Sequence, residues 1–201
     1  IRLILLGRED CESVAHIHLA SFPNSSLSKL GHEAVKRYYI QQMNEANDCI
    51  AVGAFHNNSM VGFIYAGIFR GVLTGFVKKN RWFLVGRVLT HPWLVLNPMF
   101  RDAIKLALRK LKSKKHSTVT SGINRQEFVV LSIAVDPGLQ QKGIGQLLMD
   151  YIEDVAITRG FKKMVLTVNP LNAKAIRFYE KNNWAVTGNS SGNNIEMTKQ
   201  L

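Results

Sequence analysis

Acidic residues are scarce in this chain: 14 Asp or Glu stand against 26 Lys or Arg, a net charge of +12 over 201 residues. Cysteine is scarcer still, with only Cys11 and Cys49. Two isolated thiols, at no spacing typical of metal or redox sites, exclude a disulfide framework or a zinc ribbon. They suit a reducing compartment, with a single disulfide left open. Long apolar runs are missing too, since Leu3-Ile4-Leu5-Leu6 is far too short for a signal segment or a membrane span. No repeat or low-complexity tract interrupts the chain, although Ser113 to Gly122 reads as a loose polar linker. The sequence opens at Ile1 rather than Met, as expected of a trimmed or processed chain. What is present, 46% apolar and 20% charged residues, suffices for one domain with a proper core, and the expected location is cytoplasmic.

The most informative stretch is Val135-Asp136-Pro137-Gly138-Leu139-Gln140-Gln141-Lys142-Gly143-Ile144-Gly145. It follows the short β-branched run Phe128 to Ala134, which reads as a strand. After it, Ile144, Leu147, Leu148, Tyr151, Ile152 and Val155 share one helical face, and Gly160 stops the helix. The turn therefore aims backbone N–H groups at one point, on the positive end of a helix, which suits a phosphate or pyrophosphate. A Walker loop is excluded because Ile144 and Gly145 stand where its Lys and hydroxyl belong. A dinucleotide fingerprint is excluded because Leu148 replaces its third glycine. Gln140-x-x-Gly143-x-Gly145 remains.

Further along, Lys163 to Val168 reads as a second strand. Asn169-Pro170 reads as a cap with a first-turn proline, and Asn172 to Lys181 as a helix closed at Asn182-Asn183. The order and spacing of Ile133-Ala134-Val135-Asp136-Pro137, Gln140-x-x-Gly143-x-Gly145 and Val168-Asn169-x-x-Asn172-x-x-Ala175-x-x-x-Tyr179-Glu180-Lys181-x-x-Trp184 closely resemble the GNAT superfamily of acyl-CoA-dependent N-acyltransferases. The resemblance covers residues 127 to 188. It implies an α/β (α+β) fold with a mixed central sheet, helices on both faces, and an acyl-CoA cleft between two splayed parallel strands. Upstream, Leu3–Leu6, Cys49–Phe55 and Met60–Ile68 read as strands, and Glu12–Phe22 and Leu27–Met43 as helices, in the order such proteins follow.

The resemblance also implies roles. Acetyl-CoA is the expected acyl donor, with a primary amine as acceptor. Backbone groups of Ile133, Ala134 and Val135 would pair with the pantetheine arm, and a backbone N–H there could stabilise the oxyanion. The amides of Gln140, Gln141, Lys142, Gly143, Ile144, Gly145 and Gln146 would hold the pyrophosphate, with the Lys142 ammonium as an extra cation. Asn172 would bond the pantetheine or its neighbouring loop, and Ala175 belongs to the same helix motif. Tyr179 would protonate the departing thiolate, since a phenol stays protonated at neutral pH and still donates to a thiolate. The base is less defined: Glu127, through a water, is the candidate, with Ser132, His32 and His56 behind it. His16-x-His18 is a poor metal pair because such a spacing faces two sides of a helix, and no catalytic metal is expected.

Charge is unevenly placed. Residues 70–115 hold twelve Lys or Arg against one acid, Asp102, so this segment carries +11 of the +12. It stands where GNAT-like proteins pass directly between strands, and reads as a basic helical insertion, at about 70–122 by composition, in a single domain spanning 1–201. It mixes Trp82, Phe83, Leu84, Val85, Trp93, Leu94 and Leu96 with basic residues, and Met99 to Leu111 reads as a helix. A lid over the acceptor cleft and a helix pair on an anionic membrane surface both fit. Nucleic acid is disfavoured, because the aromatics accompany aliphatics rather than a polar basic stripe. A basic wall would favour an anionic acceptor, such as an amino sugar nucleotide, a lipid-linked sugar or an acidic peptide. The competing reading is a noncatalytic acyl-CoA-binding module that docks through the insertion.

Overall fold

The computed structural model describes residues 1–44, 48–68, 76, 79–90, 127–189 and 194–201. Seven strands form one sheet in the order β1-β2-β3-β4-β5-β7-β6: β1 Arg2–Leu5, β2 Cys49–His56, β3 Ser59–Gly67, β4 Glu127–Val135, β5 Lys163–Val168, β6 Ala185–Asn189 and β7 Ile195–Gln200. Among the described strands, only β4 and β5 run parallel. The expected mixed sheet is therefore present, with helices on both faces. The hairpin between β2 and β3 turns at Asn57 and Asn58, at φ 48° and 62°, the left-handed pair that matches strand twist.

One face of the sheet carries α1 (Cys11–Ser21), α2 (Ser26–Lys29) and α3 (His32–Gln42). The sequence suggested one helix from Leu27 to Met43, but Gly31, at φ 88°, breaks it in two. A Cβ at Gly31 would fall 2.4 Å from the Arg87 guanidinium, so glycine is needed there for conformation and for space. Arg87 belongs to α4 (Arg81–Thr90) and donates from Nε to the Leu30 carbonyl at 2.8 Å. This face is closed by Val14, Ile17, Val35, Tyr39, Phe63 and Tyr65, all buried.

The other face carries α5 (Ile144–Thr158) and α6 (Ala173–Lys181). Leu148, Met149 and Ile152 of α5 pack on Phe128, Val130, Met164 and Leu166 in the larger cluster. Adjacent strands β3 and β4 are separated in the chain by residues 68–126. The basic segment enters here, and the expected Met99–Leu111 helix and Ser113–Gly122 linker lie outside the described residues. Both cysteines are free thiols.

Candidate functional site

Strand β4 is paired differently along its length. Glu127 to Val130 pair with Lys163 to Leu166 of β5, but Ser132 to Val135 pair with β3 alone among the described residues. Tyr65 faces Ser132 and Ala66 faces Val130, so Leu131 is an extra residue, a β-bulge. The bulge reverses the alternation of side chains: Phe128 and Val130 lie in the α5 cluster, whereas Ala134 lies in the α1–α3 cluster. Bulges bend a strand and end pairing. Beyond it, β4 runs on through Ile133, Ala134 and Val135 along an edge that β5 no longer covers, where alternate residues turn their backbone groups outward, the Val135 carbonyl being taken by Ser21 and Gln140. An extended ligand can add to such an edge as a strand would. The bulge itself was not visible in the sequence.

The edge leads into the glycine turn. Asp136 accepts from the Gly138 N–H at 2.8 Å, and Gln140 Nε2 donates to the Val135 carbonyl at 3.2 Å. The Gln140 side chain thus ties the turn to the strand end. Gln141 and Gly143 both have left-handed φ, 64° and 78°, which gathers successive N–H groups into a concave nest. The backbone bonding of α5 begins with Leu147 N–H to the Gly143 carbonyl, at 3.0 Å. The amides of Gly143, Ile144, Gly145 and Gln146 are thus the free first-turn donors of a 15-residue helix. A Cβ on Gly143 would meet nothing within 4 Å, so the space in front of the nest is open. The donor set and the open space fit a pyrophosphate. Lys142 is exposed beside it, and the Gln146 side chain donates to Asp150 and to Asn182, tying the start of α5 to the end of α6.

Helix α6 lies beside this turn, where a Cβ on Gly145 would come 3.8 Å from the Phe178 ring. Asn172, rather than Asn169, is the N-cap: its Oδ1 accepts from the Ala175 N–H at 3.2 Å. The Asn169 side chain instead accepts from the Leu171 N–H at 2.8 Å. Ala175 is half-buried against the larger core, and Tyr179 is 7% exposed, its ring 6.0 Å from that of Trp184. Burial pushes the Tyr179 phenol up to about 12, so it is protonated at neutral pH and weaker as an acid than a solvated phenol.

Glu127 stands apart from the bulged segment. Its carboxylate is 2.9 Å from Lys163 Nζ, at the paired end of β4, where Glu127 faces Lys163 across the sheet. Five residues of strand, about 16 Å at 3.3 Å each, separate it from Ser132. His56 closes β2 at its hairpin end and His32 opens α3, so neither joins the bulged segment. At the bulge the polar group is Ser132. Tyr39 Oη donates to Ser132 Oγ at 2.9 Å, and His18 Nδ1 lies 2.9 Å from the same Tyr39 hydroxyl. His18 Nε2 is 3.3 Å from Ser25 Oγ, which donates to Ser28. Desolvation lowers the His18 pKa to about 4, leaving it neutral. The sequence offered Ser132 only as a lesser base and gave Tyr39 no role, because these residues meet through tertiary packing alone. His16 and His18 do face opposite ways: His16 is exposed beside Glu12 and His32, where Lys36 Nζ holds the Glu12 carboxylate at 2.6 Å.

Comparison with known proteins agrees with this geometry. Residues 112–184 match the acetyltransferase (GNAT) family. The [ribosomal protein bS18]-alanine N-acetyltransferases of Salmonella typhimurium and Escherichia coli K12 are 41% and 39% identical over 54 residues, 27% of this chain and 36% of theirs. The match thus spans about a third of the length of these curated relatives. Among solved structures, PaiA N-acetyltransferase from Thermoplasma acidophilum, in complex with coenzyme A, aligns over 100% of both chains, with a TM-score of 0.61 and 16% identity. The Escherichia coli ribosomal-protein-S18-alanine N-acetyltransferase aligns over 100% of this chain and 93% of its own, with a TM-score of 0.59 and 16% identity. Sequence motif, sheet order and the matched stretch converge: residues 112–184 match the acetyltransferase (GNAT) family, and the fold around them is similar to that of the solved N-acetyltransferases.

Proposed function

We propose that this protein transfers an acetyl group from acetyl-CoA to a primary amine by direct attack on the thioester. The observation that carries this reading is the continuity of two backbone surfaces, the β4 edge freed at Leu131 and the amide nest from Gln140 to Gln146. The nest holds the pyrophosphate, and the β4 edge holds the pantetheine arm. An N–H of the same edge stabilises the negative charge that develops on the thioester oxygen. Once amine and thioester are aligned, no covalent enzyme intermediate is needed. The new C–N bond forms as the C–S bond breaks, and Tyr179 donates a proton to the sulfur.

The amine must also lose a proton. Ser132, with Tyr39 and His18 behind it, is the polar group the fold places beside the bulge, and it takes the role in place of Glu127. Ser132 orients a water that takes the amine's proton and releases it to solvent, because burial leaves the His18 ring too weak a base to keep it. Two of the similar proteins are named for alanine of a ribosomal protein, so a peptide N-terminus is the first amine to try. The charge of residues 70–115 favours an acidic peptide or an amino sugar nucleotide over a cationic acceptor.

Thiol release from acetyl-CoA, measured against a panel of such amines, tests the reading. Amine-dependent release supports it. Acetyl-CoA binding without release, for every amine in the panel, would favour a noncatalytic acyl-CoA-binding module.

A further inference from the structure

Helix α4 has two unlike faces. Its inner face is fixed to the body: Phe83 and Leu84 pack on Leu30 and Ala34, the Arg37 guanidinium stacks 4.5 Å over the Phe83 ring, and Arg87 holds the Leu30 carbonyl. Arg87 is therefore an anchor. The outer face is apolar and open. Trp82 is 75% exposed, Val85 49% and Leu89 76%, and at i, i+3 and i+7 they form one stripe. Lys79 and Arg81, both exposed, project on its two sides, with the Arg81 guanidinium 5.3 Å over the Trp82 ring.

A soluble protein seldom leaves Trp and Leu together on a helix it has already docked by the opposite face. The charges decide what covers the stripe. A second copy of this chain would bring its own exposed Lys79 and Arg81 against those of the first, and like charges oppose that contact. Nucleic acid would place the basic residues at the centre of the face, whereas here they flank an aliphatic and indole centre. An anionic bilayer matches both features: the stripe enters the headgroup boundary, and Lys79 and Arg81 snorkel to the phosphates. The sequence continues in the same chemistry with Pro92-Trp93-Leu94-Val95-Leu96. No helix among the described residues is long and apolar enough to cross a membrane, so the contact lies on the surface.

We propose that the outer face of α4, through Trp82, Val85 and Leu89 flanked by Lys79 and Arg81, docks this protein on anionic phospholipid surfaces. The test is co-sedimentation of the full chain with vesicles of phosphatidylcholine alone and of phosphatidylcholine with phosphatidylserine, at low and high salt. Binding is expected to the anionic vesicles only, weakened by salt. Lys79→Glu with Arg81→Glu is expected to lower partitioning about tenfold or more; both side chains are exposed, so this variant leaves the fold intact. Trp82→Ser with Leu89→Ser is expected to abolish binding, and Gly86→Ala, whose Cβ meets nothing within 4 Å, to leave it unchanged. Equal binding to both vesicles, binding to neither, or unchanged binding by both double variants would overturn the proposal. So would a single-stranded RNA shift by a protein that ignores vesicles. The assay contains neither acetyl-CoA nor an amine, so its failure leaves the proposed reaction standing, and failure of that reaction leaves this result standing.

Discussion

The two faces of the sheet are built by different means. On the α5–α6 face, the surface proposed for recognition is backbone: a bulged strand edge, two left-handed residues and the first amides of one helix, all within residues 131–146. On the α1–α3 face, the polar groups proposed to act are side chains brought from afar. Ser132, Tyr39 and His18 meet across sequence separations of 93 and 21 residues. A backbone site follows from local spacing and glycine placement, and tolerates change in most of its side chains. A side-chain chain fails when any one link is removed. Each face can be broken separately, and the outcomes should not mix.

The largest effect expected belongs to the buried histidine. His18 titrates near 4 in the folded protein and near 6.5 unfolded, so the unfolded state binds the proton first. Its contribution is complete above pH 6.5, is lost progressively as pH falls, and is gone below about pH 4. At 1.36 kcal/mol per pH unit that is about 3 kcal/mol. Urea unfolding across this window should show the parent losing about that much more stability than His18→Gln. Equal slopes would mean that folding leaves the His18 pKa unshifted.

Next comes the acid. Tyr179→Phe should lower turnover about 10²-fold or more with acetyl-CoA affinity nearly intact. Matched losses of turnover and binding would make the ring a packing element of the α5–α6 face. Smaller effects are expected across the sheet: Ser132→Ala and Tyr39→Phe should each reduce kcat/KM for the amine about tenfold without weakening acetyl-CoA. If either variant binds acetyl-CoA poorly, the two faces are not independent. The smallest effect is Glu127→Gln, which removes a half-buried ion pair worth about 0–1 kcal/mol and should leave turnover near the parent value. A large loss would restore Glu127 as the base.

The same contrast explains what was legible in the sequence. The strand–turn–helix from Phe128 to Val155 and the motif at Asn172 to Tyr179 are local, so periodicity and glycine spacing located them. The bulge at Leu131 left no mark, because it depends on how β3 pairs with β4, and Leu131 is an ordinary strand residue. The break at Gly31 was missed since one glycine inside an apolar period is tolerated in many helices; here the Arg87 guanidinium takes the space. Asn172 was chosen for its motif position and turned out to be the cap of α6 as well, displacing Asn169. Glu127 is the one acid on its strand, and its pairing with Lys163 leaves no local mark in the sequence. The route from Ser132 to His18 joins three elements with no shared local pattern.

The central claim is that acetyl-CoA binds the β4 edge and the nest after it. Calorimetric titration of acetyl-CoA into the parent and into Gly143→Val tests it most directly. Gly143 sits at φ 78°, with open space before its Cβ. Valine strains the turn and projects into the volume a pyrophosphate would fill. Binding to the parent and loss of measurable binding in a variant that still unfolds cooperatively is the predicted result. Equal affinity in both proteins would place acetyl-CoA elsewhere and contradict the account.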